Sequence, residues 1–239
     1  MTFDVISISN KRPEQWYYLF DEYFRSLQPY QPKVFQPQFW GGLSTKPKVL
    51  YQLIKDKTIS SSHIIFTDCW DFVFADTPDE IFETYKAFNS PIVISAEANC
   101  FPDDLKKEFD ELNPNKKYRY LNSGFICGGT EAILTCLEAM DLPNLKDDHY
   151  DVEKGCNYHP NDQFEWMKIF INNIVPIELD TLQILSQTLH GEDIDNFDFS
   201  RERIMNKTTK TFPCTFHFNG GSKDDLKLRE PILKHLNLL

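Results

Sequence analysis

Along this chain, short continuous hydrophobic runs alternate with stretches in which apolar residues recur at helical spacing. "FDVISIS" (3–9) is rich in β-branched residues and reads as a buried strand. The segment after it repeats Trp16, Leu19, Phe20, Tyr23, Phe24 and Leu27 at helical spacing. "KVFQPQFWGG" reads as a short extended piece closing in a turn, and "KPKVLYQLIKDK" sets Val49, Leu50, Leu53 and Ile54 on one helical face. "HIIFTD" predicts the third strand. In "TPDEIFETYKAF", Thr77 is an N-cap, Pro78 takes the first helical position and Glu80 closes a capping box, so a helix begins there. "PIVISAE" predicts a strand and "DDLKKEFDEL" a helix; "YRYLNSGFICGG" predicts a strand and "TEAILTCLEAM" the helix behind it. Residues 141–160 are acidic, punctuated by Gly and Pro, and predict a loop that could close over a site. "NDQFEWMKIFI" is a helix, "IELD" a strand, and "CTFHFNGGSK" a strand that breaks into a glycine turn.

Strands alternating with helices predict one α/β domain over residues 1–239, with a mostly parallel central sheet covered by helices on both faces. The tail "DDLKLREPILKHLNLL" (224–239) has apolar residues at helical spacing. It is expected either to dock on the domain or to pair with a second copy as a homodimer.

Composition narrows the classes. Hydrophobic content of 41% with 14% aromatic residues is that of a folded chain rather than a disordered one. A net charge of −11 argues against a nucleic-acid surface, which needs clustered Lys and Arg to neutralise phosphates. No window reaches the length of a membrane span, and the first residues lack the basic start and long apolar run of a signal peptide. The expectation is a soluble chain, cytoplasmic by default. Cys69, Cys100, Cys127, Cys136, Cys156 and Cys214 show no C-x-x-C pairing, so they read as reduced, mostly buried thiols.

The candidate chemistry begins at "HIIFTDCWDFVF", where Asp68 and Asp71 stand three apart between two hydrophobic segments. Burying unpaired carboxylates is costly. Beyond the carboxyl end of a strand in an α/β sheet, such a turn can aim both acids at one divalent cation. The alternative is a pair of loop or N-cap acids. Trp70 between them offers a ring face to a base, or belongs to the core. In "FHFNGGSK" the paired glycines let backbone amides approach an anion, Lys223 adds positive charge, and His217 suits a borderline metal such as Mn²⁺. Alone it is a strand ending in a turn; together with Asp68 and Asp71 it supplies a third ligand and a diphosphate cradle. Asn122, Ser123 and Gly124 form a small polar turn suited to a hydroxyl-rich ligand, or an ordinary Asx turn. Asn161 and Asp162 stand at a helix start, where an acid also serves the helix dipole.

Taken in order, "DCWD", "SAEANCFPD", "YLNSGFICGG", "NDQ", "ELD…SQTLHG" and "HFNGGSK" resemble the glycosyltransferase domain of the procollagen lysyl hydroxylases, from the first strand to about Lys223. With no hydroxylase segment beside it, the chain looks like a stand-alone version of that domain, similar to those of giant viruses. The resemblance implies a GT-A fold that binds UDP-glucose through Mn²⁺ and passes glucose, with retention of configuration, to galactosyl-hydroxylysine of a collagen or collagen-like polypeptide. It implies that Asp68, Asp71 and His217 hold the metal and that Trp70 stacks on uracil. Asn219, Gly220 and Lys223 would meet the diphosphate, while Asn122, Ser123, Asp162 and Gln163 would face the donor sugar or reaction centre. "FWGGLSTKPKV" matches a donor-side segment and makes Lys48 a further donor-binding candidate. Two positions depart from the family pattern: Asn161 stands where it is acidic, and Phe101 where it has Trp. A hydroxylysine galactosyltransferase, a catalytically silent UDP-sugar-binding module and a metal-dependent phosphoesterase are the other readings.

Overall fold

The helix start at Thr77 shows how closely local chemistry is followed: the Thr77 side chain accepts the Glu80 N–H while the Glu80 carboxylate takes the Thr77 N–H, with Pro78 in the first turn. The computed structural model describes residues 2–10, 17–69, 71–145, 149–151, 156–158 and 162–239. In chain order these form β1 (Phe3–Ile8), α1 (Tyr17–Ser26), β2 (Lys33–Phe35), α2 (Thr45–Lys55), β3 (His63–Thr67), β4 (Phe72–Phe74), α3 (Pro78–Lys86), β5 (Ile92–Glu97), α4 (Lys106–Leu112) and β6 (Tyr120–Gly129). There follow α5 (Thr130–Ala139), β7 (His149–Asp151), β8 (Cys156–Tyr158), α6 (Asp162–Ile171), β9 (Ile177–Asp180), β10 (Ser186–Thr188), β11 (Phe197–Asp198), β12 (Met205–Asn206), β13 (Thr215–His217) and α7 (Leu226–His235).

The main sheet has six strands in the order β2-β1-β3-β6-β5-β9. Its β1–β2, β1–β3 and β5–β9 pairs are parallel, and β6 is antiparallel to both β3 and β5, so five strands share one direction and β6 alone opposes them. Strict alternation divides the buried residues between the two faces. Ile64, Phe66, Ile92, Ile94 and Ile126 pack with α2, α5 and α6 through Leu50, Ile133, Leu137 and Trp166. Ile65, Val93, Phe125 and Cys127 pack with Tyr23 of α1, Leu27 just beyond it, and Ile81 and Phe82 of α3. The mostly parallel α/β sheet covered on both faces is thus as the periodicity predicts. The reversal of β6 is not, because direction lies in long-range pairing rather than in the strand's own pattern.

A smaller sheet, β10-β13-β4, lies beside the first. Its strands have three residues each, too short to leave a period in the sequence, and only β13 was anticipated. The β7–β8 hairpin falls inside the stretch read as irregular loop. The C-terminal segment docks: Leu228, Ile232 and Leu233 of α7 enter a core with Val73, Phe216 and Phe218. Arg229 fixes it further by a bidentate pair to the buried Glu22 carboxylate at 2.8 and 2.6 Å. Among the described residues, Cys69, Cys100, Cys127, Cys136 and Cys214 form no disulfide. No described helix is long and apolar enough to cross a membrane.

Candidate active site

Three strand ends create the site. Asp68 directly follows β3, Asp71 directly precedes β4, and β4 pairs antiparallel with β13 so that Phe72 faces His217. The Phe218 N–H donates to the Asp71 carbonyl at 2.7 Å, extending that ladder by one step. The acidic turn and the distant His217 therefore meet as neighbours in one small sheet. His217 Nε2 lies 3.6 Å from Asp71 Oδ1 and 3.7 Å from Asp68 Oδ2, and one ligand atom from each of the three residues falls within 4.8 Å of the others. An ion making bonds of about 2.0–2.6 Å can bridge atoms up to about 5 Å apart, so this donor set fits a divalent cation.

Which imidazole nitrogen faces the carboxylates follows from Asn122. The Gly124 N–H can only donate, and it donates to Asn122 Oδ1 at 3.0 Å, which fixes the amide's orientation. That same oxygen is 3.2 Å from His217 Nδ1, so Nδ1 carries the proton and Nε2 offers its lone pair to the cation corner. Burial pulls the His217 pKa down, but the Asp71 and Asp68 carboxylates outweigh it and raise the group above its ordinary value.

The Asn122–Gly124 segment reaches the cleft because β6 bulges. Ile94 pairs with Ile126 and Ala96 with Leu121, so Ser95 of β5 faces four residues of β6. Gly124 is required at this approach: a Cβ there would run into His217 Cε1. Gly124→Ala is expected to push the imidazole out of the corner and weaken divalent-ion affinity by about 10–100-fold, as measured by calorimetric Mn²⁺ titration.

Below this corner the buried Glu97, at the end of β5, accepts three amides. Asn122 Nδ2 and Gln163 Nε2 reach Oε1 at 3.0 and 2.9 Å, and Asn219 Nδ2 reaches Oε2 at 3.0 Å. One carboxylate thereby ties together β6, α6 and the turn after β13. Burial raises its pKa, and the three amide hydrogen bonds oppose the rise. Asn219 Oδ1 also accepts the N–H groups of Leu189 and His190, both at 2.9 Å, so its amide braces two neighbouring turns.

Lys46 is the cation that the acids required. Buried in the first turn of α2, its Nζ lies 2.8 Å from Asp68 Oδ1 and 3.1 Å from Asp162 Oδ2. Burial disfavours its charge, but Asp162 and Asp68 more than compensate and raise its pKa. Asp162 Oδ2 also accepts from Ser123 Oγ at 3.0 Å.

These groups line a cleft of about 480 Å³ that collects Asp68, Asp71, Asn122, Ser123, Asp162, Gln163, His217, Asn219 and Gly220 in one place. Trp70 and Asn161 lie outside the described residues, as does the side chain of Lys223. Lys48 borders a separate hollow with Tyr51, Leu137 and Met140, and it is Lys46 that enters the cleft. A sequence signal for Lys46 existed: it lies four residues before Leu50 on the buried stripe of α2, where a lysine needs a partner. Glu97, at the end of an otherwise uncharged buried strand, carried a similar signal, whereas His190 and Leu43 on the cleft rim lie within the segments "SQTLHG" and "FWGGLSTKPKV", which assign neither of them a role.

The fold is that of the GT-A glycosyltransferases. Mouse xyloside xylosyltransferase 1 in its apo form aligns with a TM-score of 0.53 and 14% identity, over 92% of this chain and 98% of that one. Galactosyltransferase LgtC, solved in complex with donor and acceptor sugar analogs, aligns with a TM-score of 0.56 and 10% identity, over 99% and 96%. At those identities the likeness is one of fold.

The family model described as the PLOD GT domain matches residues 37–230, and the chain belongs to that family of glycosyltransferase domains. Procollagen-lysine,2-oxoglutarate 5-dioxygenase of Drosophila melanogaster is 31% identical over 173 residues, which is 68% of this chain and 22% of that protein. The human multifunctional procollagen lysine hydroxylase and glycosyltransferase LH3 is 27% identical over 168 residues, 67% and 21% respectively. Procollagen-lysine,2-oxoglutarate 5-dioxygenase 1 of Gallus gallus is 27% identical over 239 residues, 92% and 30%. The chain thus spans between a fifth and a third of the length of these relatives.

Proposed function

We infer that this domain transfers glucose from UDP-glucose to galactosyl-hydroxylysine of a collagen or collagen-like polypeptide, using Mn²⁺. The observation that carries this reading is the convergence of Asp68, Asp71 and His217 Nε2 at one corner of the cleft. Those three residues would hold the cation, which when bound draws charge from the departing UDP oxygen. The turn at Gly220 would receive the diphosphate, with Trp70 against the base and Lys223 near the phosphates. The acceptor assignment draws on the relatives, whose names refer to procollagen lysine.

Within the cleft, burial raises the Asp162 pKa while Lys46 opposes that rise and orients the carboxylate, and Ser123 Oγ donates to the same carboxylate oxygen. A carboxylate held from two sides is suited to positioning sugar or acceptor hydroxyls, and that is the role proposed for Asp162. Gln163, bonded to Glu97 and to the Ser123 N–H, holds the β6 bulge against α6.

The test crosses two donors with two acceptors. UDP-glucose and UDP-galactose are each incubated with hydroxylysine and galactosyl-hydroxylysine peptides in the presence of Mn²⁺. The expected product is glucosyl-galactosyl-hydroxylysine alone, with the donor's anomeric configuration retained. Galactose on bare hydroxylysine would replace this reading with the galactosyltransferase one, and UDP-glucose binding without turnover would leave a binding module.

A further inference from the structure

His190 follows β10, which runs parallel to β13 with Thr188 opposite His217, so the turns after these two strands lie side by side. The backbone of His190 is held at both ends: its N–H donates to Asn219 Oδ1 at 2.9 Å and its carbonyl accepts from Asn99 Nδ2 at 3.0 Å. Its ring rests on Gly220, whose φ of +57° favours glycine and whose added Cβ would lie 2.7 Å from His190 Nδ1. The Gly221 N–H donates to that same Nδ1 at 3.2 Å.

A backbone N–H can only donate, so Nδ1 carries no proton and the ring's proton is on Nε2. The Nδ1 edge is turned onto the glycines, and among the described residues Nε2 has no hydrogen-bond partner, although His190 lines the cleft. The turn read as a diphosphate cradle therefore spends its Gly221 amide on an imidazole. That imidazole re-presents one N–H from its far side.

We propose that His190 is a donor-binding residue that relays the Gly221 amide into the cleft and gives its Nε2–H to a phosphate oxygen of the nucleoside diphosphate. This rests on the nucleotide-sugar reading above. It adds a specific contact: a neutral donor of fixed tautomer, lining the same cleft as the Asp68 and Asp71 carboxylates, that stabilises anionic oxygen without a formal charge of its own.

Calorimetric UDP binding in the presence of Mn²⁺ tests it. His190→Phe keeps a ring over Gly220 but can neither accept nor donate; its UDP affinity is expected to fall about 10-fold or more. His190→Gln, whose amide can accept with its oxygen and donate with its nitrogen, is expected to stay within about threefold of wild type. Thermal unfolding of both variants checks that they fold. Wild-type UDP affinity in a folded His190→Phe variant overturns the proposal, as does a raised KM for the acceptor with UDP affinity unchanged. If the wild-type protein itself does not bind UDP, the nucleotide-sugar reading falls first. A long-range ¹H–¹⁵N spectrum provides a readout independent of binding: the Nε2–H tautomer is expected, and the Nδ1–H tautomer contradicts the relay.

Discussion

Asp71→Ala is expected to reduce sugar transfer by about 1000-fold or more while leaving the protein folded. A cation that stabilises a departing diphosphate contributes several kcal/mol to the transition state, and about 1.4 kcal/mol is a factor of ten in rate. Stability should respond differently. Asp71 lies 3.6 Å from His217 Nε2, so the fold of the ion-free variant is checked separately by thermal unfolding. Wild-type protein should show a Mn²⁺-dependent rise in thermal midpoint, since a ligand that binds only the native state stabilises it by mass action. The variant should not. Turnover at the wild-type rate, or an unchanged Mn²⁺ response, contradicts the assignment of Asp71.

Lys46→Ala is expected to cost about 3–5 kcal/mol of folding stability, because it leaves the buried Asp162 carboxylate without its cation and removes a partner of Asp68. In urea unfolding the midpoint should fall with little change in slope, the mark of a change in stability rather than in the surface exposed. Lys46→Met, which retains the stem, should recover packing but not the charge, so transfer should stay impaired even in protein that is folded. Lys48→Ala is the control: Lys48 borders another hollow, and its loss should leave transfer far closer to wild type than the loss of Lys46 does. Equal effects at the two lysines would mean that Lys46 has been misplaced.

How much of this was legible beforehand depended on range. Helices and long strands announced themselves through periodicity and caps, as at Thr77 and Glu80, because those interactions span three or four residues. The reversed direction of β6 and the three-residue strands β4 and β10 did not, because both exist only through partners far along the chain. Asp68, Asp71, Asn122, Asp162, Gln163 and His217 could be named from motif order, and the structure gathers them in one cleft. What joins them was hidden. The hub at Glu97 and the Lys46 bridge are buried electrostatic contacts with partners that no local pattern names; Lys46 stands on the buried face of α2 two residues before Lys48. The bond between His190 and the glycine turn depends on β10 and β13 lying parallel, a pairing between segments far apart in the chain that leaves no local pattern.

A crystal of this chain grown with Mn²⁺ and UDP, with the ion located by its anomalous signal, tests the central claim most directly. The ion is expected between Asp68, Asp71 and His217 Nε2, completing its shell with diphosphate oxygens. An ion bound elsewhere, or UDP seated in the cleft with no ion against those three side chains, would contradict it.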